Sequence, residues 1–243
     1  MRLSRVYVDI PLAGRRTCQL APSAANHVAR VLRLRAGEHL VLFDGLGGEY
    51  SATIETLGRE TVTVSIGAHF PAERESPLGI TLVQGISRSE RMDFVVQKAT
   101  ELGVTRIVPI AAARSVVRTN EAQAARKLEH WRSVAVGACE QCGRNRLPTL
   151  DPPTEWNDWL ARHTAADNAL LLTARASTSL REALSSRAAI ELAVGPEGGW
   201  TPEEEAVALA SGYRTVKLGP RILRTETAAI AAIAAIQSHI GDF

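Results

Sequence analysis

The spacing of apolar positions changes near residue 77. Upstream, short β-branched and apolar runs alternate with polar residues, the pattern of half-buried strands. They cover 6–10, 39–44, 49–54 and 61–66, with a hairpin-like turn at Gly45, Gly47 and Gly48. One helix interrupts them, capped at Ser23, with Ala24, His27, Val28, Val31 and Leu32 at helical spacing. Short strands around one helix predict a compact barrel.

The polar, Pro-bounded stretch 70–77 reads as a linker. Downstream the pattern becomes strand then helix. Buried-type strands are predicted at 79–84, 104–110, 170–173, 191–194 and 215–218. A helix over 90–102 ends at Gly103, and a longer one spans 121–139. The Ala-rich helix over 226–239 carries a narrow stripe of Ile230, Ile233, Ile236 and Ile240, facing a core or a second copy. This alternation predicts a parallel α/β sheet. The reading is therefore a small β-rich domain over 1–72 and an α/β domain over 73–243.

Composition changes little in that picture. An apolar content of 45% and a charged content of 22% suffice for a real core. No apolar run at the start suits a secretory signal and none approaches a membrane span, so a cytoplasmic protein is expected. Cys18, Cys139 and Cys142 make no disulfide framework. Cys139 and Cys142 form a CxxC without a second pair or a histidine pair to complete a metal site, so no metal is expected. Net charge is +2. Residues 77–150 carry 11 basic and 6 acidic groups, whereas 151–243 carry 8 and 12. A basic middle beside an acidic end suits a polyanion on one face, or is simply solvated.

Two glycine-proline loops carry the chemistry. Gly195-Pro196-Glu197-Gly198-Gly199-Trp200 leaves one strand and enters a helix, with Thr201 as cap, Pro202 first and Glu204 closing a capping box. Leu218-Gly219-Pro220-Arg221-Ile222-Leu223-Arg224-Thr225 does the same for the last helix. The glycines permit close backbone approach to a flat ligand, or serve a tight turn. No Lys-Ser/Thr follows, and Glu197 would repel phosphate, so a P-loop is excluded. Arg224 could bind a phosphate or stabilise a developing anion, or it could pair with Glu197 or Glu226. Further basic groups are Arg88 and Arg91 beside Lys98, the Arg144-Asn145-Arg146 loop, and Arg30, Arg33 and Arg35 near His27.

Taken together these residues resemble the bacterial 16S ribosomal RNA (uracil-N3)-methyltransferase family, within the SPOUT methyltransferases. The resemblance rests on 27–37, on 87–93 with 98–104, on Glu140-Gln141-Cys142-Gly143-Arg144, and on the two loops in this order. Cys142 stands where a small residue, often serine, is expected. The resemblance implies an N-terminal PUA-like β-barrel domain and a C-terminal SPOUT α/β trefoil-knot domain with a parallel sheet. It also implies a homodimer acting on 16S rRNA of the small ribosomal subunit. S-adenosyl-L-methionine (SAM) would be held by Leu172, Thr173, Gly195, Pro196, Glu197, Gly198, Gly199, Leu218, Gly219, Ile222, Leu223, Arg224 and Thr225. Arg224 would stabilise or position the base, with Glu140 and Arg144 reaching it from the partner subunit. His27, Arg30, Arg33, Arg35, Arg88 and Arg91 would contact RNA. Competing expectations are a SPOUT enzyme acting on another position, such as a ribose 2′-hydroxyl, a non-catalytic RNA-binding protein, and a nucleotide-dependent phosphotransferase.

Overall fold

The computed structural model describes residues 3–58, 61–115, 121–162, 168–184 and 188–243. The chain divides into two compact units, one of residues 1–75 with 136–147 and one of 76–135 with 148–243.

In the first unit β1 (Arg5–Tyr7) and β2 (Thr17–Gln19) precede a short helix, α1 (Pro22–Asn26), which widens into a π-helical turn at His27–Val31. β3 (His39–Phe43), β4 (Glu49–Leu57) and β5 (Val62–Phe70) follow. They form one sheet in the order β1-β3-β4-β5-β2, with β1 parallel to β3 and the other pairs antiparallel. Alternation puts Leu40, Leu42, Ala52, Ile54, Val62 and Val64 into the core with Val6, Leu20 and Val28. Register shifts in β4 beside Ala52 and Ile54 mark irregularities that bend a sheet.

Two details differ from the sequence expectation. The helix cap is Ala21 rather than Ser23, because Pro22 occupies the first helical turn with its preset φ. β2 was not anticipated: its three residues are too few to show a period, and pairing with β5 defines it.

The second unit contains β6 (Ile80–Gly85), α2 (Ser89–Glu101), β7 (Arg106–Ala111) and α3 (Glu121–Cys142), whose residues from 136 onward cluster with the first unit. Next come β8 (Thr149–Leu150), β9 (Thr154–Glu155), α4 (Trp156–Arg162), β10 (Asn168–Leu172) and α5 (Leu180–Ala183). β11 (Ile190–Val194), α6 (Pro202–Ala210), β12 (Arg214–Val216) and α7 (Thr225–Ile240) complete it. The sheet order is β12-β10-β11-β6-β7-β8, with β9 also on β7, and every pairing is parallel.

A parallel sheet covered on both faces needs strands apolar on both sides, and all five residues of β11 are buried. On one face Leu82, Leu192 and Val216 pack with Met92, Val95 and Val96 of α2 and with Ala229, Ile233 and Ile236 of α7. On the other, Val83, Leu171 and Ala193 pack with Trp156, Trp159, Trp200 and Tyr213. Ile233 and Ile236 of the α7 stripe thus face the core, while Ile230 and Ile240 are only half-buried. The Tyr213 hydroxyl donates to buried Glu191 and accepts from Trp159 Nε1 at 3.2 Å.

Candidate active site

Parallel strands deliver their C-terminal ends to the same edge of a sheet, where loops collect into a crevice. Here Leu172 of β10 is in register with Val194 of β11 and with Val216 of β12. The three loops that follow therefore start at one level. They enclose a cavity of about 350 Å³. Its walls include Leu172 and Thr173, all of 195–199, Leu218, Gly219, Ile222, Leu223 and Thr225. The two motifs, some twenty residues apart in sequence, are thus neighbours in space.

Each loop is fixed by contacts the sequence partly announces. Thr201 Oγ1 accepts the Glu204 N–H at 3.2 Å, and Glu204 Oε2 accepts the Thr201 N–H at 2.8 Å. The other Glu204 oxygen accepts the Ala113 N–H at 2.8 Å, so this capping box also holds the chain after β7. Trp200 packs on Trp156 with ring centroids 4.6 Å apart. Arg114 donates to the Gly198 carbonyl at 3.0 Å, and Arg175 donates to the Trp200 carbonyl at 3.0 Å and to Glu205 at 2.7 Å. Sequence reasoning missed Arg114 and Arg175. Neither sits in a motif, and only folding brings them to the loop.

Buried beneath the loops, Gln84 Nε2 donates to Thr225 Oγ1 at 3.0 Å, and the Thr225 hydroxyl donates to the Gly195 carbonyl at 2.6 Å. The available signal for Gln84 is an amide near the end of a mostly apolar strand. Beside it, β6 ends on Gly85, where an added Cβ would lie 2.4 Å from Pro196 N. The backbones touch there because neither strand end carries bulk.

Glu197 lines the cavity, and its Oε1 accepts the Arg88 N–H at 3.2 Å and Arg91 Nη1 at 3.3 Å. Arg91 Nε is 3.9 Å from Glu226. The carboxylates considered as partners for Arg224 are therefore both engaged by Arg91. Arg224 is exposed, occupies the cap position of α7 with extended backbone, and stands between cavity-lining Leu223 and Thr225. Ile222 in the same loop is 90% exposed.

The other candidate site residues, Glu140, Arg144, His27, Arg30, Arg33 and Arg35, lie in the first unit. Arg144 is buried and donates to Glu75 through Nε at 2.9 Å and Nη2 at 2.6 Å. Its carbonyl accepts from Arg5 Nη2 at 3.1 Å, and the same Arg5 nitrogen reaches Asn145 Oδ1 at 2.5 Å. Glu140 Oε1 accepts the Tyr7 N–H at 3.0 Å, and its Oε2 is 3.9 Å from His27 Nε2. Burial pushes the Glu140 carboxyl above the usual range, against the pull of the Tyr7 N–H, His27 and Arg5. Burial likewise pushes the Cys139 thiol up to about 12, which leaves a poor thiolate. Glu49 shows the opposite balance: burial opposes ionisation, yet Arg5 and Arg74 hold its carboxyl below the usual range. His27 is half-buried, while Arg30, Arg33 and Arg35 are exposed around it. Arg33 is the one non-glycine residue with positive φ among the described residues, at 55°.

The RNA methyltransferase domain profile matches residues 74–237, and the RNA methyltransferase PUA domain profile matches 20–67. The ribosomal RNA small subunit methyltransferase E of Buchnera aphidicola (Schizaphis graminum) is 32% identical over 241 residues, covering 99% of this chain and 98% of that protein. This chain belongs to the ribosomal RNA small subunit methyltransferase E family. Solved structures agree along the whole length. A putative methyltransferase of Legionella pneumophila in complex with SAM is 38% identical with a TM-score of 0.96, covering 100% of both chains. The family member from Neisseria gonorrhoeae bound to SAM is 39% identical with a TM-score of 0.90, again over 100% of both. The first unit is accordingly PUA-like. No described helix is long and apolar enough to cross a membrane.

Proposed function

We propose that this protein transfers the methyl group of SAM to N3 of a uracil in 16S rRNA of the small ribosomal subunit. The observation that carries the reading is the cavity at the common end of β10, β11 and β12, walled by the two glycine-proline loops. Its residues fit the cofactor. Gly199 and Gly219 both have positive φ, at 65° and 71°, and an added Cβ at either would meet nothing within 4 Å, so backbone lies open to a flat ligand. Glu197 lines the cavity and places a negative charge beside a ligand that is cationic at sulfur and amine. Leu172, Thr173, 195–199, Leu218, Gly219, Ile222, Leu223 and Thr225 would hold it, while Arg224 is not among the residues that line the cavity. The bound cofactor supplies an already electrophilic methyl group, so the protein's task is orientation.

N3 of uracil must give up its proton to solvent to become nucleophilic, and breaking the S–CH₃ bond leaves S-adenosylhomocysteine. Arg224, on the cavity rim, supplies a permanent positive charge and planar donors that favour the resulting anion and fix the base. Glu140 and Arg144 would approach from the partner subunit of a homodimer, and the knot implied by the resemblance would involve the same loops. A cytoplasmic location follows from the substrate. Sedimentation showing a stable monomer at working concentration would remove the dimer. Labelled SAM incubated with unmodified small subunits is expected to yield labelled 3-methyluridine. Label recovered in a 2′-O-methyl nucleoside would replace this reading with the ribose alternative, and no transfer would refute both.

Arg30, Arg33 and Arg35, with His27 among them, are proposed to grip the RNA backbone, and Arg88 and Arg91 to meet it near the cavity. Phosphate contacts release counterions, about 0.7 per contact for single-stranded RNA. The triple alanine variant of the three first-unit arginines is thus expected to flatten the dependence of log affinity on log salt by about two. An unchanged slope would remove that role.

A further inference from the structure

We propose that Gln84 is a positioning residue that sets cofactor affinity by tying the start of α7 to the loop after β11 through the Thr225 hydroxyl. The inference rests on the cofactor reading above. Gln84 is fully buried at the end of β6 and is not among the residues walling the cavity. Its Nε2 donates to the Gly85 carbonyl at 3.0 Å and to Thr225 Oγ1 at 3.0 Å, and Thr225 donates to the Gly195 carbonyl at 2.6 Å.

The direction of this chain of bonds is fixed by chemistry. The Gly85 and Gly195 carbonyls only accept, so Gln84 must present its NH₂ and Thr225 must give its proton to Gly195. Thr225 and Gly195 both line the cavity, from segments 30 residues apart. Gln84 thus holds two walls of the cradle at one separation without touching its contents. The amide is kept although its Oε1 is buried without a partner, a desolvation cost that leucine would avoid. Its NH₂ bonds are what distinguish it from an apolar filler.

The test is calorimetric titration of SAM into the full chain and into Gln84→Leu, Thr225→Val, Thr225→Ser and the double Gln84→Leu/Thr225→Val variant. Each of the first two is expected to weaken binding about tenfold. Thr225→Ser, which restores the hydroxyl, should recover most of what Thr225→Val loses. The double variant should lose little beyond either single, because both break one chain of bonds. In turnover of Gln84→Leu, KM for SAM should rise about tenfold while kcat at saturation stays within about threefold. A merely structural role would instead lower kcat through loss of active protein. Variants that bind as tightly as the parent, or a double variant whose losses multiply, overturn the inference. If Gln84→Leu does not fold, Gln84→Met, which keeps the side chain's length without its NH₂, takes its place. A parent chain that binds no SAM overturns the cofactor reading itself, which the variants alone cannot do.

Discussion

Arg224→Ala is expected to lower methyl transfer about a hundredfold at saturating cofactor while leaving SAM affinity within about threefold. The expectation comes from where the fold leaves this guanidinium. It is exposed at the cap of α7, flanked on both sides by cavity-lining residues, and the two carboxylates considered as its partners, Glu197 and Glu226, are turned to Arg91. A helix start adds its own positive potential there, so the local field favours an anion. The target anion exists only once uracil N3 has given up its proton, so the loss should appear in kcat rather than in cofactor binding. Arg224→Lys keeps the charge without the planar fork and should recover only part of the rate. Single-turnover transfer to small subunits, beside calorimetry with SAM, separates the two quantities. An alanine variant that binds SAM and transfers methyl at the parental rate would end the assignment.

Gly85→Ala is the second large effect expected, and it acts through packing. The added methyl would lie 2.4 Å from Pro196 N, 2.6 Å from Pro196 Cδ and 2.8 Å from the Gly195 carbonyl carbon. None of these is the free end of a flexible side chain, so either β6 or the loop after β11 must shift. Overpacking of this kind costs about 1–3 kcal/mol or more. At about 2–4 °C per kcal/mol for a domain of this size, melting should fall by about 2–12 °C. Because the same shift opens the cradle at Gly195 and Pro196, SAM affinity should drop more than tenfold, well beyond what the stability change alone produces in a folded sample. Thermal denaturation and SAM titration of the same preparation test both halves. A variant that melts and binds like the parent would show that the close approach at Gly85 has no consequence.

Much of the secondary structure was legible because local physics sets it. The switch from alternating to continuous apolar runs separated half-buried strands such as β3 from buried ones such as β11, since burial on one face or two is written in the period. Thr201, Pro202 and Glu204 marked the start of α6 because a capping box is satisfied within four residues. Ser23 misled for a related reason. It is a good cap by composition, yet Pro22 had already fixed the helix start two residues earlier, with Ala21 as the cap. The three residues of β2 carried no period at all, and only pairing with β5 makes them a strand.

The chemistry divides along the same line. By itself the sequence determined that two glycine-proline loops each leave a strand and enter a helix, because turn residues and caps act over a few positions. It also determined that apolar helices and strands must cover a parallel sheet. That the loops share one site was already implied by the resemblance, and the tertiary structure supplied the physical reason, because their level depends on the register of β10 with β11 and β12. Only the tertiary structure decided that Arg91, not Arg224, takes Glu197 and Glu226, and that Gln84 braces Thr225 against Gly195. Residues 136–147 pack with the first unit, where Arg144 meets Glu75 and its carbonyl meets Arg5, partners 69 and 139 residues away. Such pairings bring together groups with no local signal for one another, and they form only when the whole chain has folded.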